Sequence, residues 1–133
     1  MKHYLVDTNV IIDMLLDREE ADAACAVLDG AERGDYVLYL CSLSFTNIYY
    51  SLRKVLSHEE RIDALRQLRE VLRVAEVDSS VIDDALRSGW RDFEDAVQNY
   101  AAVAHPEIVG VITRNTKDFE KSTLEILDSR DFL

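Results

Sequence analysis

The sequence predicts an α/β fold: a three-layer α/β/α sandwich around a central, mainly parallel sheet of about five short strands. Three observations predict it. Short apolar runs alternate with amphipathic segments along the whole chain, the order that builds βαβ units. The short runs are apolar throughout, as strands covered on both faces require. No repeat, low-complexity stretch or linker divides the 133 residues, so they are read as one domain, 1–133.

Each element has a local reason. "HYLV" is a short buried strand, and Thr8 or Asn9 can cap a helix beginning near Val10. From Glu19 to Arg33, Ala21, Ala24, Cys25, Leu28 and Ala31 share one helical face, and Gly34 can close that helix. "YVLYLC" is the second strand. Ser42 or Ser44 starts a helix through "FTNIYYSLRKVL". Ser57 and Glu60 form a capping-box pattern ahead of Ile62, Leu65, Leu68 and Leu72. "VAEV" is a third strand, and Asp78 or Ser79 caps the helix that follows. "DFEDAVQNYAAVA" is the clearest helix, with Phe93, Ala96, Val97, Tyr100, Ala101 and Ala104 in one stripe. Pro106 stops it, "EIVGVIT" is the fourth strand, "TKDFEK" a helical turn and "LEIL" a fifth strand.

Open sheets of this kind carry their sites beyond the carboxyl ends of the strands. The polar residues expected there are Asp7 and Thr8 after strand one; Ser42, Ser44 and Asn47 after strand two; and Thr113, Asn115 and Asp118 after strand four. Asp92 and Asp95 open the clearest helix and share one side of it. Taken singly, an Asp at a helix start is an ordinary cap. Taken together, acids delivered by separate elements to one edge repel each other unless a cation sits among them. The oxygen-rich donor set suits Mg²⁺ or Mn²⁺ over Zn²⁺, and His3, His58 and His105 stand apart from it.

Composition narrows the classes. The net charge of −11 argues against generic nucleic-acid binding, because phosphates repel it. Between Arg53 and Arg73, however, six bases face four acids, so a nucleic-acid contact is expected there; a solvated helical face is the plainer reading. Cys25 and Cys41 read as buried free thiols of a reducing compartment. The longest apolar runs fall short of the roughly 20 residues of a membrane span. A strand-like segment stands where a signal peptide would be, so a cytoplasmic protein with no membrane association is expected.

"VDTNVIIDMLL", "SLSFTNIYYSLRK", "DFEDAVQ" and "ITRNTKDF", in this order, resemble the PIN-domain family, in particular the small bacterial VapC-like toxin ribonucleases. The resemblance spans essentially the whole chain. It implies an acidic pocket that binds Mg²⁺ or Mn²⁺ and cleaves single-stranded RNA. By position it assigns Asp7, Asp95 and Asp118 to catalysis and metal binding, and Asp92 as a further ligand. Thr8 and Asn9 become pocket-shaping residues. It also implies an antitoxin partner and a homodimer, with the helices around "NVIIDML" and "FTNIYY" as a docking face. Asn47 stands where the family commonly has Glu, and Asn115 where it commonly has Asp; each keeps an oxygen ligand but loses a charge. In the expected mechanism Thr8, Asn9, Ser42, Asn47, Thr113 and Asn115 orient waters or phosphate, and Arg53, Lys54 and Arg114 contact RNA. The alternative is a PIN-fold module that binds RNA or a protein without cutting. A phospho-receiver fold would need a phospho-accepting Asp at the second strand end, where Cys41 and Ser42 stand. A haloacid-dehalogenase-like fold would need Asp-x-Asp, and Asn9 breaks that pattern.

Overall fold

The computed structural model describes all of residues 1–133. Strand β1 (His3–Val6) is apolar on both sides because both sides are covered. Tyr4 and Val6 pack into one core and Leu5 into the other. The same alternation holds in β2 (Val37–Cys41), where Leu38 and Leu40 face the first core and Tyr39 and Cys41 the second. Three strands complete the sheet: β3 (Arg73–Ala75), β4 (Ile108–Thr113) and β5 (Glu125–Asp128). All four strand pairings are parallel, in the order β3-β2-β1-β4-β5.

Helices α1 (Thr8–Leu15), α2 (Ala21–Glu32), α3 (Ser42–Ser51) and α4 (His58–Val71) cover the first face. Helices α5 (Ser79–Arg87) and α6 (Phe93–Val103) cover the second. This is the expected three-layer α/β/α sandwich, with every strand parallel. From β1 the chain steps outward to β2 and β3, then returns to build β4 and β5 on the other side. The order therefore reverses between β1 and β4, and a crevice opens there at the carboxyl ends.

Local expectations meet four corrections. Asp7, in extended backbone, caps α1 by accepting the Asn9 N–H, so the helix starts at Thr8 instead of Val10. Cys25 is exposed: α2 buries Ala21, Ala23, Ala24, Val27 and Gly30 and packs Leu28 and Ala31 beside them, with the Tyr36 ring seated on Gly30. Helix α3 ends at Ser51, where Arg53 N–H bonds Tyr50 C=O and Val55 N–H bonds the buried Leu52 C=O, tightening the chain toward the next cap. In α6 the ends of the expected stripe, Phe93 and Ala104, are exposed, while Gln98 and Asn99 are buried. The Ser57–Glu60 capping box forms as the pattern indicates. Cys41 is buried and neither thiol is paired. No helix is long and apolar enough to cross a membrane.

Gly110 fixes how closely β4 lies between its neighbours. A Cβ there would stand 2.9 Å from the Glu125 carbonyl oxygen and 3.0 Å from Tyr4 Cδ1. A backbone atom cannot rotate away, so Gly110→Ala should cost about 1–3 kcal/mol by overpacking, read as a lower urea midpoint.

Candidate active site

Strand β1 ends by delivering Asp7 into the crevice, and β4 delivers Thr113 beside it. The Asp7 N–H bonds the Ile112 carbonyl at 2.9 Å, extending the β1–β4 ladder by one residue. Asp7 is 1 % exposed. Its Oδ2 accepts the Thr113 hydroxyl at 2.8 Å, and its Oδ1 accepts the Gln98 amide at 3.1 Å. The Gln98 carbonyl oxygen in turn accepts both the Thr8 N–H and the Thr8 hydroxyl at 3.0 Å. Ser44 closes the network with a 2.6 Å hydroxyl–hydroxyl bond to Thr8. Burial raises the Asp7 pKa, and the Gln98 and Thr113 bonds oppose that rise.

Helix α6 supplies the next acids. Asp92 caps it, accepting the Asp95 N–H at 2.9 Å. Asp95 is half-buried, and its carboxyl is pushed up to about 7, first by desolvation and then by the charges of Asp7, Asp92, Asp118 and Glu94. Glu94 is raised too, by burial and then by Asp92 and Asp7. Asp118 stands on the 3-10 turn Thr116–Phe119 after β4. Asp92, Asp95 and Asp118 share an open cleft of about 590 Å³ with Trp90, Arg91, Lys117, Glu120 and Lys121. None of the seven ion pairs in the molecule involves Asp7, Asp92, Glu94, Asp95 or Asp118.

None of these carboxylates makes an ion pair, although Arg91, Lys117 and Lys121 share the cleft, and an oxygen-only donor set of this kind suits a hard divalent cation. No three His, Cys, Asp or Glu side chains converge into a metal cage as they stand.

Other expected residues divide. Asn9 contributes its backbone N–H to Asp7. The Ser42 hydroxyl accepts the Val77 N–H, outside the Asp7 network, which Ser44 joins in its place. Asn47 bonds Glu94 at 3.1 Å. Asn115 donates its N–H to Thr113 but lines a separate pocket with Arg114, Asp13 and Arg18. There the Arg114 Nε lies 2.7 Å from the buried Asp13 carboxylate, an ion contact that ties β4 to α1. Arg53 stacks on the Tyr50 ring, 3.7 Å from its centroid, past the far end of α3. From Ser42 that is about 15 Å of helix. Lys54 follows it, also exposed. Sequence reasoning missed Gln98, Asp13, Glu94 and the cleft cations. The only signal for Gln98 was its place one turn after Asp95, next to the stripe.

The PIN domain profile matches residues 3–117. The chain belongs to the PIN-domain family. Solved structures agree on the fold of this PIN-domain chain. It is 16 % identical to a chain in the VapBC2 complex of Rickettsia felis bound to a promoter DNA fragment, covering 95 % of this chain and 98 % of that one, with a TM-score of 0.71. VapBC-1 of nontypeable Haemophilus influenzae is 20 % identical over 96 % and 98 %, with a TM-score of 0.69. Mycobacterium tuberculosis VapC20, a toxin that cleaves the sarcin–ricin loop, is 17 % identical over 81 % and 86 %, with a TM-score of 0.63. No curated protein matches the chain significantly.

Two predictions follow from the site's electrostatics and bonding. An unfolded Asp titrates near 3.8, whereas Asp95 titrates near 7 in the fold. Across that window the folded chain holds a proton the unfolded chain has lost, so metal-free stability falls as pH rises. In EDTA, Asp95→Asn should melt higher than the wild type at pH 8, with the gap closing toward pH 4; equal melting at pH 8 would contradict the strain. Gln98→Leu should strip donors and acceptors from buried Asp7 and Thr8, costing about 1–3 kcal/mol in a denaturant titration.

Proposed function

We propose that this PIN-domain protein is a Mg²⁺- or Mn²⁺-dependent endoribonuclease that cleaves single-stranded RNA, and that it is the toxin of a toxin–antitoxin pair. The observation that carries this reading is that Asp92, Asp95 and Asp118 share one cleft, that Asp7 lies near enough to raise the Asp95 pKa, and that none of the four is in an ion pair. When bound, the cation would lower the pKa of a water and offset charge building on the phosphate. Thr113 and Gln98 hold the Asp7 carboxylate in one orientation through short bonds from rigid elements. Asp95 on α6 and Asp118 on the turn after β4 would be the other catalytic carboxylates.

RNA contacts are better assigned to the cleft than to Arg53, Lys54 and Arg114. Arg91, Lys117 and Lys121 line the same cleft as the acids, and none is in an ion pair. They would hold phosphates on either side of the scissile one, with Trp90 at the cleft wall. Neighbouring cations also answer the net-charge objection, since the overall −11 is not the local charge at the cleft rim.

The antitoxin reading is supported by a groove between α1, α2 and α4. Met14, Leu15, Leu28, Leu56, Leu68 and Val71 form its floor, in a volume of about 500 Å³. Asp29, Glu32, Glu60, Asp63 and Glu70 rim it, so the fitting partner is a basic segment with an apolar face. Most of "NVIIDML" is core, and only Met14 and Leu15 reach this groove. For the homodimer, the outer side of α3 exposes Leu43 and Tyr50 beside Val55; sedimentation at micromolar concentration should give twice the chain mass.

The deciding assay is cleavage of mixed single-stranded RNA with Mn²⁺, with Mg²⁺ and with EDTA. Cleavage is expected with either metal, abolished by EDTA and by Asp7→Asn or Asp95→Asn. Lys117→Ala with Lys121→Ala should raise KM about tenfold, and Arg53→Ala should leave it unchanged. The uncharged Asn47 favours the second reading, a PIN module that binds without cutting. Metal binding and RNA binding with no cleavage would establish it.

A further inference from the structure

We propose that Trp90 is a stacking platform for an unpaired base of the RNA, and that it restricts the cleft to strands whose bases are free. The inference rests on the ribonuclease reading above. Trp90 is the single apolar residue in the wall of the cleft that holds Asp92, Asp95 and Asp118. Its ring is fixed before anything binds. It meets Phe119 edge-to-face at 5.7 Å and Tyr100 at 6.3 Å, and Phe119 stands on the same 3-10 turn as Asp118. Its backbone is fixed as well. The Trp90 N–H donates to the Ser88 hydroxyl at 3.2 Å, and Gly89 between them turns the chain with a φ of 72°. The indole N–H donates to no group of the chain and is not buried, so it is free to meet a base edge.

Trp90 also packs against the second core, and its neighbours on the open side are what point to a nucleotide. Lys121 Nζ donates to the Gly89 carbonyl at 3.3 Å, which holds an ammonium beside the segment that carries the ring. Arg91 follows Trp90 in the chain and lines the same cleft, and neither cation is in an ion pair. Recognition of a single strand combines such parts: cations take the phosphates and an aromatic face takes the base. Trp90 and Asp92 are two residues apart, at most about 7 Å of backbone, so the stacked base belongs to a nucleotide near the scissile phosphate. A base inside a duplex is already stacked on both faces and cannot lie on the ring. The platform selects an unpaired strand with little preference among bases, because each has a π face.

Trp90 is the only tryptophan, so indole emission reports on this position alone. The full chain is titrated with a mixed-sequence single-stranded RNA, with Ca²⁺ in place of Mg²⁺, while the anisotropy of a label on the RNA follows binding separately. The strand should bind and quench the indole, and annealing it to its complement should remove the quenching. A strand of the same length whose nucleotides carry no base should bind about tenfold more weakly and leave the emission unchanged. Trp90→Leu should weaken binding of the intact strand about tenfold and leave the abasic strand as it was; Trp90→Phe should regain most of the loss. If Trp90 serves only the core, Trp90→Leu lowers the urea midpoint and weakens both strands alike, which would overturn the inference. Equal binding of intact and abasic strands by the wild type, with cleavage in Mn²⁺ retained, would overturn it and leave the ribonuclease reading in place. No binding of either strand and no cleavage in Mn²⁺ would overturn both.

Discussion

One buried carboxylate organises this end of the molecule. Asp7 sits at the switch point between β1 and β4, almost without solvent, and is held by Thr113 and Gln98. A charge there is costly unless its bonds and a counterion offset the desolvation. The surroundings meet the first need in part and supply no paired counterion. The hydroxyl of Thr113, the amide of Gln98 and the backbone of Asn9 all point at it, and the charge of Arg114 lowers its pKa without pairing with it. Evolution toward stability alone would have placed a hydrophobic residue at the end of β1. The arrangement suits the proposed cation site, with the five-stranded sheet as its rigid frame.

The buried network also shows how the two helical layers are coupled to the sheet edge. Ser44 on α3, Thr8 on α1 and Gln98 on α6 form one chain of hydrogen bonds ending at Asp7. Helices from opposite faces thereby share a single polar contact. Asp13 and Arg114 make a second connection, from α1 to the residue after β4. Both braces position the strand ends against each other. The basic residues of α4, by contrast, serve local structure: Arg61 stacks on Tyr49 and Arg69 bonds the Leu72 carbonyl. These contacts agree with the plainer of the cluster's two readings, a solvated helical face.

Much of the fold was legible because it is local or periodic. The β1–Asp7–α1 junction, the Ser57 capping box and the apolar strands follow from neighbouring residues. The acids of the site could be placed because strand ends and helix starts have fixed directions. The side chains that connect elements could not. Gln98 lies 91 residues from Asp7, and nothing local distinguishes it from a surface glutamine. Asn47 and Glu94 are 47 residues apart, and their pairing depends on how α3 and α6 approach the edge. On α2 only Cys25 was misplaced: Ala21 and Ala24 are buried and Leu28 and Ala31 pack against the core, while Cys25 lies at the edge of that face and is exposed.

The most direct test of the central claim is a crystal of the full chain soaked in Mn²⁺, with anomalous scattering used to locate the ion. The account predicts a manganese peak at the carboxyl edge of β1 and β4, against the oxygens of Asp7 and Asp95. Manganese bound only elsewhere, for example along the acidic α2 around Asp29 and Glu32, would contradict it.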